Sequence, residues 1–457
     1  MSDTRNRRGR GAIVAVLVAL LAAAPAAAQL PATPGLPGLP GGLPGGVGLP
    51  VDPSLPSTSG VTQDLSRVTD LRRLRLRELV RRNRDRIDID GNGAPVVRGE
   101  LLAVAPSPGS LARATTAGFT VMRETAVEGT NVRLVTLAIP RGLNARQAIK
   151  RLRKADPGGD YDFNHIYSSA GEDDPAIAAA PPGCQSPPPY FSGPGGGGGR
   201  RIGLIDTGVD ARHPALGGAR VEQRGFAPGG VRPRAHGTAT ASLMVGRAGP
   251  FRGAAPGWAL LVADVYGDGP TGGSAEALVR GLGWLAANNV SVINVSLVGP
   301  PNGALRAVTA SLTARGVLVV AAVGNDGPAA PPLFPASYPG VIAVTGVDGR
   351  DRVLMEAGRA LHLDFAAPGA DMAAAGPGGG FTSVRGTSFA APIVAGRLAS
   401  ARSTAGPAGA RAAVEALTRT ARDLGPAGFD RIYGRGLVGG DLRTPPRAVG
   451  ARGGVLR

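Results

Sequence analysis

From residue 200 onward the chain alternates two patterns. Short, predominantly apolar runs, Ile202–Ile205, Leu260–Val265, Val290–Leu297, Val317–Val323 and Val341–Val347, read as strands. Between them lie His236–Met244, Ser274–Ala287 and Ala304–Arg315, and later Ser388–Ala399, which read as helices. A strand that is apolar on both faces has to be covered on both. The pattern therefore predicts an α/β fold with a parallel, doubly covered sheet over residues 200–445. In such sheets reactive groups gather at the carboxyl ends of strands, where Asp206, Asn325 and the residues around Leu297 fall.

The preceding stretch has another rhythm. Strand patterns at Glu100–Ala105, Phe119–Ala126, Val132–Ile139 and Tyr161–Tyr167 are separated by helices at Ser110–Ala117 and from Asn144 to Lys154. The order β-α-β-β-α-β predicts a small α+β ferredoxin-like domain over 96–168. It holds no cluster of catalytic residue types, and His165 reads as a strand histidine. Before it, Leu65, Val68, Leu71, Leu76 and Leu79 make an apolar stripe among arginines, so 61–95 is expected to be an Arg-rich amphipathic helix. It would pack on the domain that follows or dock on an acidic surface.

Composition adds limits. The net charge of +17 over 457 residues would suggest a polyanion partner, but the arginines are spread along the chain. Solvated surface explains them, and no nucleic-acid partner is expected. Cys184 is the only cysteine, which excludes an internal disulfide. Arg5–Arg10, the apolar run Ala12–Ala24 and Ala26–Ala28 form a signal-peptide pattern at 1–28, so export to the periplasm or the medium is expected, with the membrane met only in transit. Gly/Pro-rich residues 29–60 read as a tether, 169–199 as a linker open to cleavage, and 446–457 as a flexible tail.

The candidate chemistry lies in three residues. Ser388 sits at a helix start among small neighbours, beside unpaired amide groups that can stabilise a developing negative charge. Pro392 falls close enough to that start to be tolerated in the first turn. Asp206 and His236 can orient and supply a base. Each alone has an ordinary structural use: Ser388 as a helix cap, His236 as a core histidine, Asp206 and Asn325 as turn residues. The order Asp, His, Ser excludes the α/β-hydrolase arrangement.

IGLIDTGVD at 202–210, His236-Gly237-Thr238, VINVSL at 292–297, AAVGNDG at 321–327, FPASYPGVIAV at 334–344, AAPG at 366–369 and GTSFAAP at 386–392 occur in one order. Together they resemble the subtilisin-like serine proteases, over about Arg200 to Asp441. The resemblance implies an Asp206–His236–Ser388 triad, an oxyanion hole from the Asn325 side chain and the Ser388 amide, and a substrate-pairing strand at Ser296, Leu297, Val298 and Gly299. It also implies that 96–168 is a prodomain that aids folding and inhibits until cut, with self-cleavage between Ser168 and Gly199. The expected partners are protein or peptide substrates and the chain's own prodomain, in a monomer. No cofactor is needed for the chemistry; structural calcium occurs in the family, but no compact acidic loop assigns ligands and no metal residue is named. The chain departs from the family pattern at Ala239, where a second histidine is common, and at Val298, which replaces a glycine and is expected to narrow the substrate cleft. Asp326 is either a solvated turn residue or a rim carboxylate favouring a basic substrate residue. A catalytically silent peptide-binding protein is the alternative, but no triad member is missing.

Overall fold

The computed structural model describes residues 76–169, 200–269, 272–451 and 454–457. The expected export signal, the tether and linker residues 170–199 lie outside the described residues.

Residues 76–82 are helical, with Glu78 bonded to Arg81 and Arg82. The amphipathic helix expected over 61–95 does not extend through that range. Ile87–Ile89 instead form strand β1, paired antiparallel with the start of β2 (Pro95–Val104). The cause is local: Asp90 Oδ1 accepts from the amides of Asn92 and Ala94, closing a tight turn. There follow α1 (Pro108–Thr116), β3 (Thr120–Ala126), β4 (Arg133–Ala138), α2 (Ala145–Ala155) and β5 (Tyr161–Ser169). Asn144 and Gln147 form a reciprocal capping box at the start of α2. The sheet order is β5-β2-β4-β3 with antiparallel neighbours, and the element order is the expected one.

The second region runs β6 (Arg201–Asp206), β7 (Val221–Gly225), α3 (Ala235–Val245), β8 (Ala259–Asp264), β9 (Gly273–Ser274), α4 (Ala275–Ala287), β10 (Val292–Val295), β11 (Leu297–Val298) and α5 (Gly303–Ala314). It continues with β12 (Leu318–Ala322), β13 (Ile342–Val347), β14 (Phe365–Pro368), the hairpin β15 (Met372–Ala375) and β16 (Phe381–Val384), α6 (Thr387–Ala401), α7 (Gly406–Thr420) and β17 (Val455–Leu456). Seven parallel strands lie in the order β14-β13-β12-β10-β6-β8-β7. Alternate residues serve opposite faces: Leu204, Val262, Val292 and Val320 pack with α3 and α6. Ile205, Ala263, Ile293 and Val319 pack with α4 and α5. This is the doubly covered sheet that the apolar runs predict.

Edge strand β7 escapes an apolar-run reading because Glu222 and Arg224 point to solvent. Helix α7 escapes because its buried residues, Gly409, Ala410, Ala413 and Leu417, carry little apolar bulk. The tail is not free either: Val455 and Leu456 pair with Ser383 and Val384, and Leu456 is buried. Its backbone supplies acceptors to the β16 edge and its leucine joins the main core.

The two regions share a core. On β2, Leu101 and Ala103 pack under α1 and α2, while Leu102 and Val104 pack on α4 and α5. Fully burying a leucine contributes about 1.5–3 kcal/mol. Part of the contribution from β2 therefore exists only while the sheet lies on those helices. Strand β5 adds polar anchors at two helix starts. Asn164 Oδ1 accepts from the Glu276 amide of α4, and Asp162 Oδ2 accepts from the Gly303 amide of α5. Arg123 of β3 forms a paired ion bridge to the buried Glu276 carboxylate. His165 is the strand histidine expected, held between Asp90 and Asn302.

Candidate active site

Asp206 ends β6 and is fully buried; its Oδ1 accepts from the Thr207 amide at 2.7 Å. His236 is the second residue of α3. Its Nδ1 lies 2.9 Å and 3.0 Å from the two Asp206 carboxylate oxygens. Only a protonated Nδ1 can make those bonds, so the contact fixes the tautomer with Nδ1 as donor. Thr207 fixes where the helix starts, because its hydroxyl oxygen accepts from the Gly237 amide at 3.0 Å. A Cβ on Gly237 would stand 2.5 Å from the Thr207 carbonyl oxygen, so the approach needs glycine.

Ser388 is the second residue of α6. The helix is entered through Gly386 at φ 145°, a conformation that side chains disfavour. Ser388 Oγ is buried and has no hydrogen-bond partner among the described residues. The His236 imidazole packs on the ring of Phe389 with centroids 5.3 Å apart, so the starts of α3 and α6 lie side by side. Asn325 is held beside that start: its Oδ1 accepts from the Thr387 amide at 3.0 Å, which leaves Nδ2 as its donor. The Thr387 hydroxyl oxygen in turn accepts from the Gly324 amide at 3.2 Å.

Pro392 is not in the first turn but inside α6, four residues after Ser388. It has no amide hydrogen to give to the Ser388 carbonyl. Ser296 Oγ donates to that carbonyl instead, at 2.9 Å, and itself accepts from Asn294 Nδ2 at 2.8 Å. A proline that looks merely tolerable in sequence thus creates the acceptor that the fully buried Ser296 satisfies.

The strand marked as substrate-pairing is occupied. Leu297 and Val298 pair antiparallel with Ser169 and Ser168 of β5. On its other side β5 pairs with β9, Gly273 opposite Tyr167 and Ser274 opposite Ile166. The end of β5 is therefore the middle strand of a three-stranded ribbon. Gly299 spends its own amide and carbonyl on Phe334, each bond 3.0 Å. Tyr167 is fully buried, donates to the Pro300 carbonyl at 2.7 Å, and its hydroxyl is held well above the usual phenol range by burial. Sequence reasoning missed β9; its available signal was the small run Gly272-Gly273-Ser274. A Cβ at Gly272 would stand 2.3 Å from the Tyr167 carbonyl oxygen.

Among the described residues no group of three or more His, Cys, Asp or Glu is placed to hold a metal ion. Asp348 and Asp351, an acidic pair in one loop, are bonded by Arg352, Arg422 and Arg443, so calcium does not fit that loop. No helix among the described residues is long and apolar enough to cross a membrane.

The model of the Subtilase family matches residues 197–436. The chain is 32% identical over 252 residues to a subtilisin of Bacillus pumilus, covering 52% of this chain and 88% of that one. Subtilisin E of Bacillus subtilis matches at the same identity over 64% of its length. The crystal structure of fervidolysin from Fervidobacterium pennivorans, a keratinolytic enzyme related to subtilisin, superposes with a TM-score of 0.60 over 79% of this chain and 63% of its own, at 22% identity.

Proposed function

This chain belongs to the subtilase family and is a subtilisin-like serine endopeptidase, and from that premise we propose that Asp206, His236 and Ser388 hydrolyse peptide bonds. The observation that carries this reading is the His236 Nδ1 contact with both Asp206 oxygens, at the head of the helix that abuts the start of α6. Asp206 holds the imidazole with Nε2 free of its proton. Nε2 takes the Ser388 hydroxyl proton as Oγ attacks the substrate carbonyl. The oxyanion is met by Asn325 Nδ2 and the Ser388 amide. Imidazolium then gives its proton to the leaving amine, which departs as the acyl-enzyme forms. Water repeats the sequence and releases the acid. The chemistry needs no cofactor.

Residues 96–168, together with β1, act as a prodomain in this reading. They deliver the end of β5 to Leu297 and Val298 as a substrate strand would be held. Ser169, opposite Leu297, is the last paired residue, so in this reading the processed bond lies just beyond it. The bond then cut is Ala170–Gly171. Residues 1–28 direct export, and 200–445 form the catalytic domain.

The test compares the full chain with its Ser388→Ala form. Wild type is expected to hydrolyse unfolded protein and to take up a small alkyl fluorophosphonate at Ser388, and the variant to do neither. Labelling without hydrolysis would mean an activated serine for which unfolded protein is not the substrate, whereas a silent peptide-binding protein would show neither. Absence of both from a folded wild type would end the reading.

A further inference from the structure

We infer that Val298, with Leu333, closes the crevice beside Ser388, so that the residue before the cleaved bond must be small: alanine, glycine or serine. The inference rests on the endopeptidase reading above and names its substrate class.

Strands β10 and β12 are neighbours in the parallel sheet. Their continuations, 296–298 and 323–325, leave at the same carboxyl end, where neighbouring strands open a crevice. One wall carries Ser296, bonded to the Ser388 carbonyl, and the other carries Asn325, bonded to the Thr387 amide. A chain whose reacting carbonyl lies between Ser388 and Asn325 has its own side chain directed into that space. The space is filled from both sides. A Cβ on Gly324 would meet Leu333 Cδ1 at 2.7 Å and Val298 Cγ1 and Cγ2 at 3.6 and 3.7 Å. The two valine methyls thus rest against the opposite wall. With β5 docked, Val298 is 7% exposed and Leu333 4% exposed, so the crevice is closed in the uncut chain. A close-packed crevice admits a methyl but not a ring without displacing its walls.

The chain's own sequence is consistent with this. Where the β5 register runs out, the residues are Ser168, Ser169, Ala170 and Gly171, all small. The larger anchor lies farther back, where Tyr167 packs on Gly299 and under Gly272.

The experiment uses enzyme produced from the full chain. Its active fraction is counted by fluorophosphonate labelling, which needs no side chain in the crevice. Peptides that keep Tyr-Ser-Ser before a variable residue, Ala, Phe or Arg, are compared by kcat/KM. Wild type should favour Ala over Phe by about 100-fold or more, the scale on which a filled apolar pocket rejects a larger group. Val298→Gly should reduce that ratio to about tenfold or less, and Val298→Ala should fall between. Each ratio is internal to one preparation, so partial misfolding does not change it. A labelled wild type that cuts Phe as well as Ala, or prefers Arg through Asp326, overturns the inference alone. A Val298→Gly ratio equal to wild type also overturns it. Failure to label wild type removes the endopeptidase reading and the inference with it.

Discussion

Ser169 lies opposite Leu297 in an antiparallel ladder, one step short of Ser296, whose hydroxyl is bonded to the Ser388 carbonyl. Within the expected processing range of Ser168 to Gly199, this pairing is the basis for proposing the Ala170–Gly171 bond. Intact-mass measurement and N-terminal sequencing of the matured enzyme should give a new terminus at Gly171, with Ser388→Ala remaining whole. A first cut well downstream, near the Gly195–Gly199 run, would contradict the register.

Because both oxygens of Asp206 are engaged by His236 Nδ1, Asp206→Asn should replace one acceptor with a donor and favour the wrong tautomer. The expected loss in kcat is on the order of 10³–10⁴, with KM changed only a few-fold. Single-turnover kinetics on a peptide substrate would measure it. A loss below about tenfold would remove Asp206 from the role proposed.

Ser296 and Pro392 are linked through one carbonyl. Ser296→Ala should leave the buried Ser388 carbonyl without a donor, a cost of about 1–3 kcal/mol. Thermal unfolding should show a lower midpoint, and the start of α6 should lose precision, so that kcat falls more than KM rises. Restoring an amide at the other end, with Pro392→Ala, should recover part of the stability. If the double variant is no more stable than Ser296→Ala, the compensation is wrong.

Burial pushes the Glu100 carboxyl above its ordinary range; the Asn164 hydrogen bond opposes this and the Glu276 carboxylate adds to it. Glu276 lies on α4, so releasing the N-terminal region removes that neighbour and exposes Glu100. The docked carboxyl thus binds its proton more tightly than the released one. Docking is therefore unpenalised below the ordinary carboxylate pKa and weakens as pH rises through the raised value. At pH 8 Glu100→Gln should slow departure of the cleaved segment, because the neutral amide does not carry the charge that the docked site disfavours. At pH 4 the variant should match wild type. Co-elution of the cut segment with the enzyme over time reads this out, and equal rates at pH 8 would refute it.

Val298 and Pro392 show where reading the chain stops. At Val298 the departure from glycine predicts a narrower cleft, but not that its methyls and Leu333 meet across Gly324. At Pro392 position alone suggests a harmless first-turn residue, while the helix start at Thr387 puts it opposite a carbonyl that needs a donor.

The sequence by itself determined the alternating strands and helices of residues 200–445, the β-α-β-β-α-β order before them, and Asp206, His236, Ser388 and Asn325 as the candidate chemistry. Those features are carried by short-range periodicity and by residues next to strand ends and helix starts. Only the tertiary structure decided that β5 lies between β9 and β11, that Tyr167 reaches the Pro300 carbonyl 133 residues away, and that Val298 rests against Gly324. Each of these joins segments far apart in the chain, where local pattern carries no information and close packing alone selects the partner.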